Sequence, residues 1–129
     1  MEHRIEFHED YIEITVWGKA SLEGFLDYVV EGLGMPQWRA GMNVLTDLSG
    51  AESHDTENIS FDDSNAFASF VAKNARYIGN SKLATIPAGN TNSRMLVRLF
   101  ENLSKFYGSP IDHRIVMTRK EALDWFHEE

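Results

Sequence analysis

Single apolar runs and amphipathic helical patterns take turns along most of this chain, and that alternation constrains its fold more than any other feature. Arg4 to His8 and Tyr11 to Trp17 alternate apolar with polar residues, with Ile5 and Phe7 in the first segment and Ile12, Ile14 and Val16 in the second. A period of two puts one face of each segment on a core, so they read as strands joined at Glu9-Asp10 in a hairpin. From Ser21 to Leu33 the period changes: Leu22, Phe25, Leu26, Val29, Val30 and Leu33 recur at three and four, one face of a helix that Gly34 and Pro36 close. Asn43 to Leu48 is a third strand, too apolar for an exposed edge and therefore central. A polar loop from Gly50 to Ile59 follows, and then a second helix from about Phe61 to Ile78 with Phe67, Phe70, Val71, Ala75 and Ile78 on its buried stripe and Gly79 at its end. Lys82 to Pro87 is a fourth strand. Asn90-Thr-Asn-Ser93 supplies capping side chains for a third helix whose core stripe is Leu96, Leu99, Phe100, Leu103 and Phe106. Arg114 to Met117 is a short fifth strand, and Thr118-Arg-Lys-Glu121 is a capping box opening a last helix with Ala122, Leu123, Trp125 and Phe126 inside. The order β-β-α-β-α-β-α-β-α implies right-handed crossovers and one α/β domain over 1–129, with a mostly parallel central sheet of about five strands, helices packed on it and the hairpin as its antiparallel margin.

Composition removes several classes of function. At 129 residues the length fits one domain burying roughly two-thirds of its unfolded surface. Cysteine is absent, which excludes a disulfide framework, a thiol nucleophile and cysteine-based zinc sites. His3, His8, His54, His113 and His127 are scattered and make no paired metal-ligand spacing. The charged, alternating start resembles neither a signal peptide nor an anchor, and no apolar run reaches the length of a membrane span, so a cytoplasmic protein is expected. A net charge of −8 argues against a sequence-independent grip on nucleic acid, which needs Lys and Arg on phosphates. Residues 1–65 carry 3 basic and 14 acidic side chains, residues 66–129 carry 9 basic and 6 acidic. Halves of opposite sign attract within one fold or across a homodimer, or simply form two solvated faces.

Three segments carry a resemblance: the strand end Thr46-Asp-Leu-Ser-Gly50, the long helix from Ser60, and the ending Arg114-Ile-Val-Met-Thr-Arg-Lys-Glu-Ala-Leu-Asp-Trp125, a strand running into a Glu-Ala-x-x-Trp helix. Nearly the whole chain is similar in this respect to the SpoIIAA-like group of the STAS superfamily, the anti-sigma-factor antagonists. The resemblance implies a small regulatory or protein-binding domain without catalysis or cofactor. Such antagonists place a phosphorylatable serine in an Asp-Ser-Ser-Gly segment at a helix start, and the corresponding stretch resembles Asp63-Ser64-Asn65-Ala66, in which Asn65 and Ala66 replace the second serine and the glycine. The resemblance thus points to Ser64 as a phosphorylation site with a side chain reachable from solvent.

The residues themselves offer further candidates, each with a structural alternative. Near a helix start the amide ends favour a phosphate on Ser64, whereas Asp62 and Asp63 repel it. The alternative is a capping box made by Ser60 and Asp63. Asp47 and Ser49, at a strand end, suit partner or ligand binding; a hydrogen-bonded terminus explains them equally. Asp47 with Asp62 and Asp63 is a candidate divalent-cation cluster, against the reading of a solvated acidic surface, and no metal is expected. Ser49, His54 and Asp47 form a triad on paper without any G-x-S-x-G elbow, so an uncharacterised hydrolase stays a weak alternative. Gly89, Asn90, Thr91, Ser93, Arg94 and Arg98 resemble an anion cradle at a strand-to-helix turn, against plain capping. Trp38, in a loop, is either a core plug or an interface anchor. A protein-interaction module leads, and a carrier of a small apolar, lipid-like ligand is its rival; an internal apolar cavity would favour the carrier and a filled core the module.

Overall fold

The computed structural model describes residues 1–51, 60–89 and 91–128. Five strands, β1 (Glu2–Phe7), β2 (Tyr11–Gly18), β3 (Asn43–Ala51), β4 (Lys82–Ile86) and β5 (Asp112–Ile115), form one sheet in sequential order. β1 runs antiparallel to β2, with Ile5 opposite Ile14, and the remaining neighbours are parallel. The helices are α1 (Leu22–Gly34), α2 (Phe61–Lys73), the single turn α3 (Ala75–Ile78), α4 (Thr91–Phe106) and α5 (Arg119–Phe126). Parallel crossovers of one hand, taken strand by strand in one direction, place their helices on one face. α1, α2 and α4 therefore share a face, and α5, which follows the last strand, is free to cover the other. Strand alternation divides the core accordingly. Ile12, Ile14 and Val16 pack with Tyr28, Phe25 and Phe67 on the three-helix side. Tyr11, Leu45, Ala84 and Val116 pack with Trp125 and Phe126 on the α5 side.

Within the three-helix layer, α2 packs on α1 and α4 and sets Phe67 against the strand cluster of Ile12, Ile14 and Val16. α1 approaches the sheet through small residues: Gly24 and Gly32 are buried with Tyr28, and a side chain at Gly24 would run into Met1. That rotation turns Val30 outward, 58% exposed, against its expected place on the buried stripe. On α4 the buried line is Ser93, Val97 and Ser104, and Phe106 is 81% exposed, correcting its assignment to the core stripe. Both misplacements have one cause: a helical period fixes a broad face, and the neighbours choose which edge of that face is covered.

The expected helix from Phe61 to Ile78 is interrupted at Asn74, whose side-chain amide donates to the Phe70 carbonyl at 2.8 Å. This competes with the regular backbone ladder. β3 continues beyond Leu48 to Ala51 through a bulge, since Thr15 pairs with Asp47 but Trp17 with Gly50. The expected loop at 52–59 lies outside the described residues. β5 begins at Asp112, two residues earlier than expected, and Met117 is exposed. Among the described residues no helix is long and apolar enough to cross a membrane.

Caps and charges secure the ends. Ser21 accepts from the Gly24 amide at 3.0 Å, and Ser60 and Asp63 form a reciprocal capping box. At α5, Thr118 accepts from the Glu121 amide, while the Glu121 carboxylate reaches one residue further back, to the Met117 amide at 2.7 Å. Trp125 is held under the Arg114 guanidinium at 4.7 Å, and Lys82 donates to the Trp125 and Glu128 carbonyls. Arg119 pairs with Glu13 at 2.9 Å, joining the basic half to the acidic half inside one fold.

Gly79 closes α3 at φ 76 and ψ −167, a region open essentially to glycine alone. A Cβ there would sit 2.6 Å from the Gly41 amide nitrogen, while one at Gly34 meets nothing within 4 Å. Gly79→Ala is expected to cost at least about 2 kcal/mol in urea denaturation, whereas Gly34→Ala gains about 0.5 kcal/mol. Equal midpoints for the two variants would refute this account of the turn.

Candidate functional site

A cavity of about 160 Å³ lies between the sheet and the three helices. β2 contributes Ile12 and Ile14 and β3 contributes Val44 and Leu48, while Phe67 and Phe100 close it from α2 and α4. Protein interiors contain few voids larger than a water molecule, so an apolar space of this size is a departure from ordinary packing. Trp38 belongs to the wall, its indole N–H donating to the Tyr77 carbonyl at 2.8 Å. The loop tryptophan is half-buried, with one side against the cavity wall.

A few polar groups interrupt this surface. Thr46 and Thr85 are partners in register on adjacent strands, 4% and 6% exposed, and both line the cavity. Behind Thr85 stands a buried relay. Its hydroxyl lies 3.0 Å from His113 Nε2, and His113 Nδ1 lies 3.1 Å from a Glu101 carboxylate oxygen. Burial pushes the His113 pKa down despite the opposing pull of Glu101. For Glu101, burial acts upward, but hydrogen bonds and charge from His113 and Lys105 outweigh it and hold the carboxyl below its usual range. An ionised Glu101 requires the proton of neutral His113 on Nδ1. Nε2 is then an acceptor, and Thr85 donates to it. The hydroxyl oxygen of Thr85 keeps lone pairs for the cavity.

Thr46 and Ser64 also line the space, and their hydroxyls have no hydrogen-bond partner among the described residues. Tyr28 is buried in the same wall, where burial pushes its phenol pKa up and keeps it protonated. The carboxylate in the wall belongs to Asp63, which accepts from the Ser60 amide at 3.1 Å.

The candidates drawn from the sequence do not converge on one place. Ser64 is 7% exposed at the fourth position of α2, so the expected access from solvent is not met: a phosphoryl group there would enter an apolar space beside Asp63. The capping alternative for Ser60 and Asp63 holds as drawn. Asp47 alternates with Thr46 and Leu48 and so faces away from the cavity; its carboxylate accepts from the Ser49 amide at 2.9 Å and the Ser49 hydroxyl at 2.6 Å. His54, required for the paper triad, lies outside the described residues. No group of metal-binding side chains occurs among the described residues, and Asp47 and Asp63 lie on different faces of the sheet. At the suggested anion cradle, Ser93 is buried and accepts from the Ala88 amide at 2.9 Å. Arg94 and Arg98 are exposed, with Arg94 against the Met117 sulfur at 3.3 Å. Gly89 has open space around it; Asn90 and the Thr91 side chain lie outside the described residues.

Sequence reasoning missed the cavity and the Thr85–His113–Glu101 relay. One signal was present: Thr46 and Thr85 interrupt the apolar side that Val44, Leu48 and Leu83 otherwise make on the two central strands. The relay also couples folding to pH. The folded pKa of His113 lies below the ordinary 6.5, so the unfolded chain binds more protons between the two values and stability falls as pH drops through that window. Glu101, lowered from 4.5, adds a second loss at more acidic pH. Urea midpoints of the wild type are expected to decline below about pH 6.5, and His113→Gln removes that decline and weakens the lower one, because His113 is also the main group holding the Glu101 pKa down. A difference curve between the two proteins that is flat from about pH 7 to 5 would contradict a buried neutral His113.

No family model matches the chain, and no curated protein matches it. Among solved structures it is similar to an uncharacterised protein of the DUF3478 family with a SpoIIAA-like fold from Shewanella loihica PV-4, with a TM-score of 0.52 and 16% identity over 97% of this chain and 92% of that one. At that identity the likeness concerns architecture. Together with the five-stranded, mostly parallel sheet and its helices, it gives this chain a SpoIIAA-like fold.

Proposed function

We propose that this domain is a non-catalytic binding module that holds a small apolar or amphipathic molecule between its sheet and α2. The observation that supports this reading is the cavity. The space of about 160 Å³ opens to solvent and its wall is almost wholly apolar, so leaving it unfilled keeps apolar surface in contact with water at roughly 25 cal/mol per Å². An occupant removes that penalty. A cavity of about 150 Å³ lined by Leu, Ile and Phe admits benzene, which sets the scale of ligand, or of ligand segment, that fits here.

Hydrolysis finds less support. Thr85 sits within β4 between β3 and β5, so the backbone donors beside it serve the sheet, and an acyl-transfer site needs free donors aimed at the developing oxyanion. The expected regulatory, protein-binding role is a second reading, favoured by Phe61, Met95 and Phe106, which are 60%, 63% and 81% exposed. Large exposed side chains of this kind suit a partner surface.

Native mass spectrometry of protein purified from its own host is expected to show a retained mass that is lost on denaturation. Val44→Phe, which fills the cavity from the sheet side, is expected to lose that mass and keep or raise the thermal midpoint. Toluene at about a hundredfold over its Kd stabilises the wild type by about 2.7 kcal/mol and leaves the variant unchanged. A ligand-free wild type that also ignores toluene would sink the binding proposal. For the second reading, sedimentation at micromolar concentration is expected to show a homodimer weakened by salt; a monomer at both low and high salt removes self-association.

A further inference from the structure

The polar part of the cavity wall restricts the ligand further, and this step rests on the binding reading above. Thr46 and Thr85 stand side by side on β3 and β4, about 5 Å apart at the spacing of paired strands. The two hydroxyls differ in what they offer. Thr85 gives its proton to His113, which is oriented by Glu101 from the far side, so it meets the cavity as an acceptor. Thr46, 4% exposed and without a partner among the described residues, has a free proton to give.

We infer that the cavity binds an uncharged amphipathic molecule whose head, an alcohol, phenol or primary amide, accepts a hydrogen bond from Thr46 and donates one to Thr85. The wall rules against charged heads. Its Thr, Ser and Tyr groups are neutral, and its carboxylate, Asp63, repels an anion. Among the described residues no Lys or Arg lines the space to neutralise a carboxylate or phosphate. An ionised carboxylate would also require two donors from the floor, and Thr85 has already committed its proton. A cation would leave the Thr46 proton without an acceptor. The tail of the molecule lies against Ile12, Ile14 and Phe67.

Phenol, toluene and benzoate have similar shapes and separate the elements of this assignment. Each would be titrated at neutral pH into the wild type and into Thr46→Val and Thr85→Val, with thermal midpoints verifying that both variants fold. Thr46→Val removes no existing hydrogen bond, so it preserves the test if Thr85→Val disturbs His113. Each substitution is expected to weaken phenol about tenfold, to leave toluene within about twofold, and benzoate is expected to bind none of the three proteins. If toluene binds and the affinity for phenol is indifferent to both substitutions, or if benzoate binds as well as phenol, the head-group assignment falls and the binding reading stands. If neither toluene nor phenol binds the wild type, both fall.

Discussion

Sequential strand order is the constraint from which the rest of this molecule follows. Because β2, β3, β4 and β5 are laid down side by side and in parallel, each connection must cross the same face. Five strands at about 4.8 Å spacing make a sheet roughly 19 Å across, while packed helices need 8–10 Å between axes. Three helices side by side span about 16–20 Å between their outer axes, which matches that width. α1 takes the β1 side and α4 the β5 side, and α2 is left to bridge them. The cavity lies where the side chains of these three helices meet the strands. No unusual residue is needed to create the cavity, only the refusal of Phe67 and its neighbours to fill it.

The same geometry explains why the chemistry lies beneath the helices and not at the rim of the sheet. In open α/β folds ligands commonly sit beyond the carboxyl ends of the strands, at a point where the strand order reverses. Here the parallel strands run in one direction with no such reversal, so there is no crevice of that kind at the strand ends. The polar residues there are occupied locally, Asp47 with Ser49 and Ser93 with the Ala88 amide. Thr46, Thr85 and His113 are instead central or deeply buried. Their position in a low-dielectric setting makes each hydrogen bond stronger and each missing partner more costly.

What could be read in the sequence was whatever depends on local period. Ile12, Ile14 and Val16 announce a strand because their spacing alone puts them on one face, and Ser60 with Asp63 announces a cap because the partners are three residues apart. Val30 and Phe106 were misplaced because helical spacing leaves the edge of a buried face to tertiary contacts. The break at Asn74 was invisible, since asparagine is tolerated in helices until its amide finds a carbonyl such as that of Phe70. His113 read as one of several scattered histidines because Thr85 and Glu101 are 28 and 12 residues away. The cavity was least legible of all. Its lining residues are the same apolar residues that fill an ordinary core, and only their tertiary arrangement distinguishes the two cases.

A domain that leaves one side underpacked must be held from elsewhere, and the α5 face does this. Val116, Leu45 and Ala84 are almost wholly buried against Trp125 and Phe126. Arg114 and Lys82 cover the Trp125 ring, and Arg119 ties the helix to Glu13 across the sheet. Burying one large apolar side chain is worth roughly 1.5–3 kcal/mol, and this face buries two aromatic ones. β2, β3 and β4 carry both faces at once, with Leu45 beside Thr46 and Ala84 beside Thr85. Fixing the α5 face therefore fixes the register in which the two threonines meet, and the strands that supply rigidity also set the spacing of the polar floor.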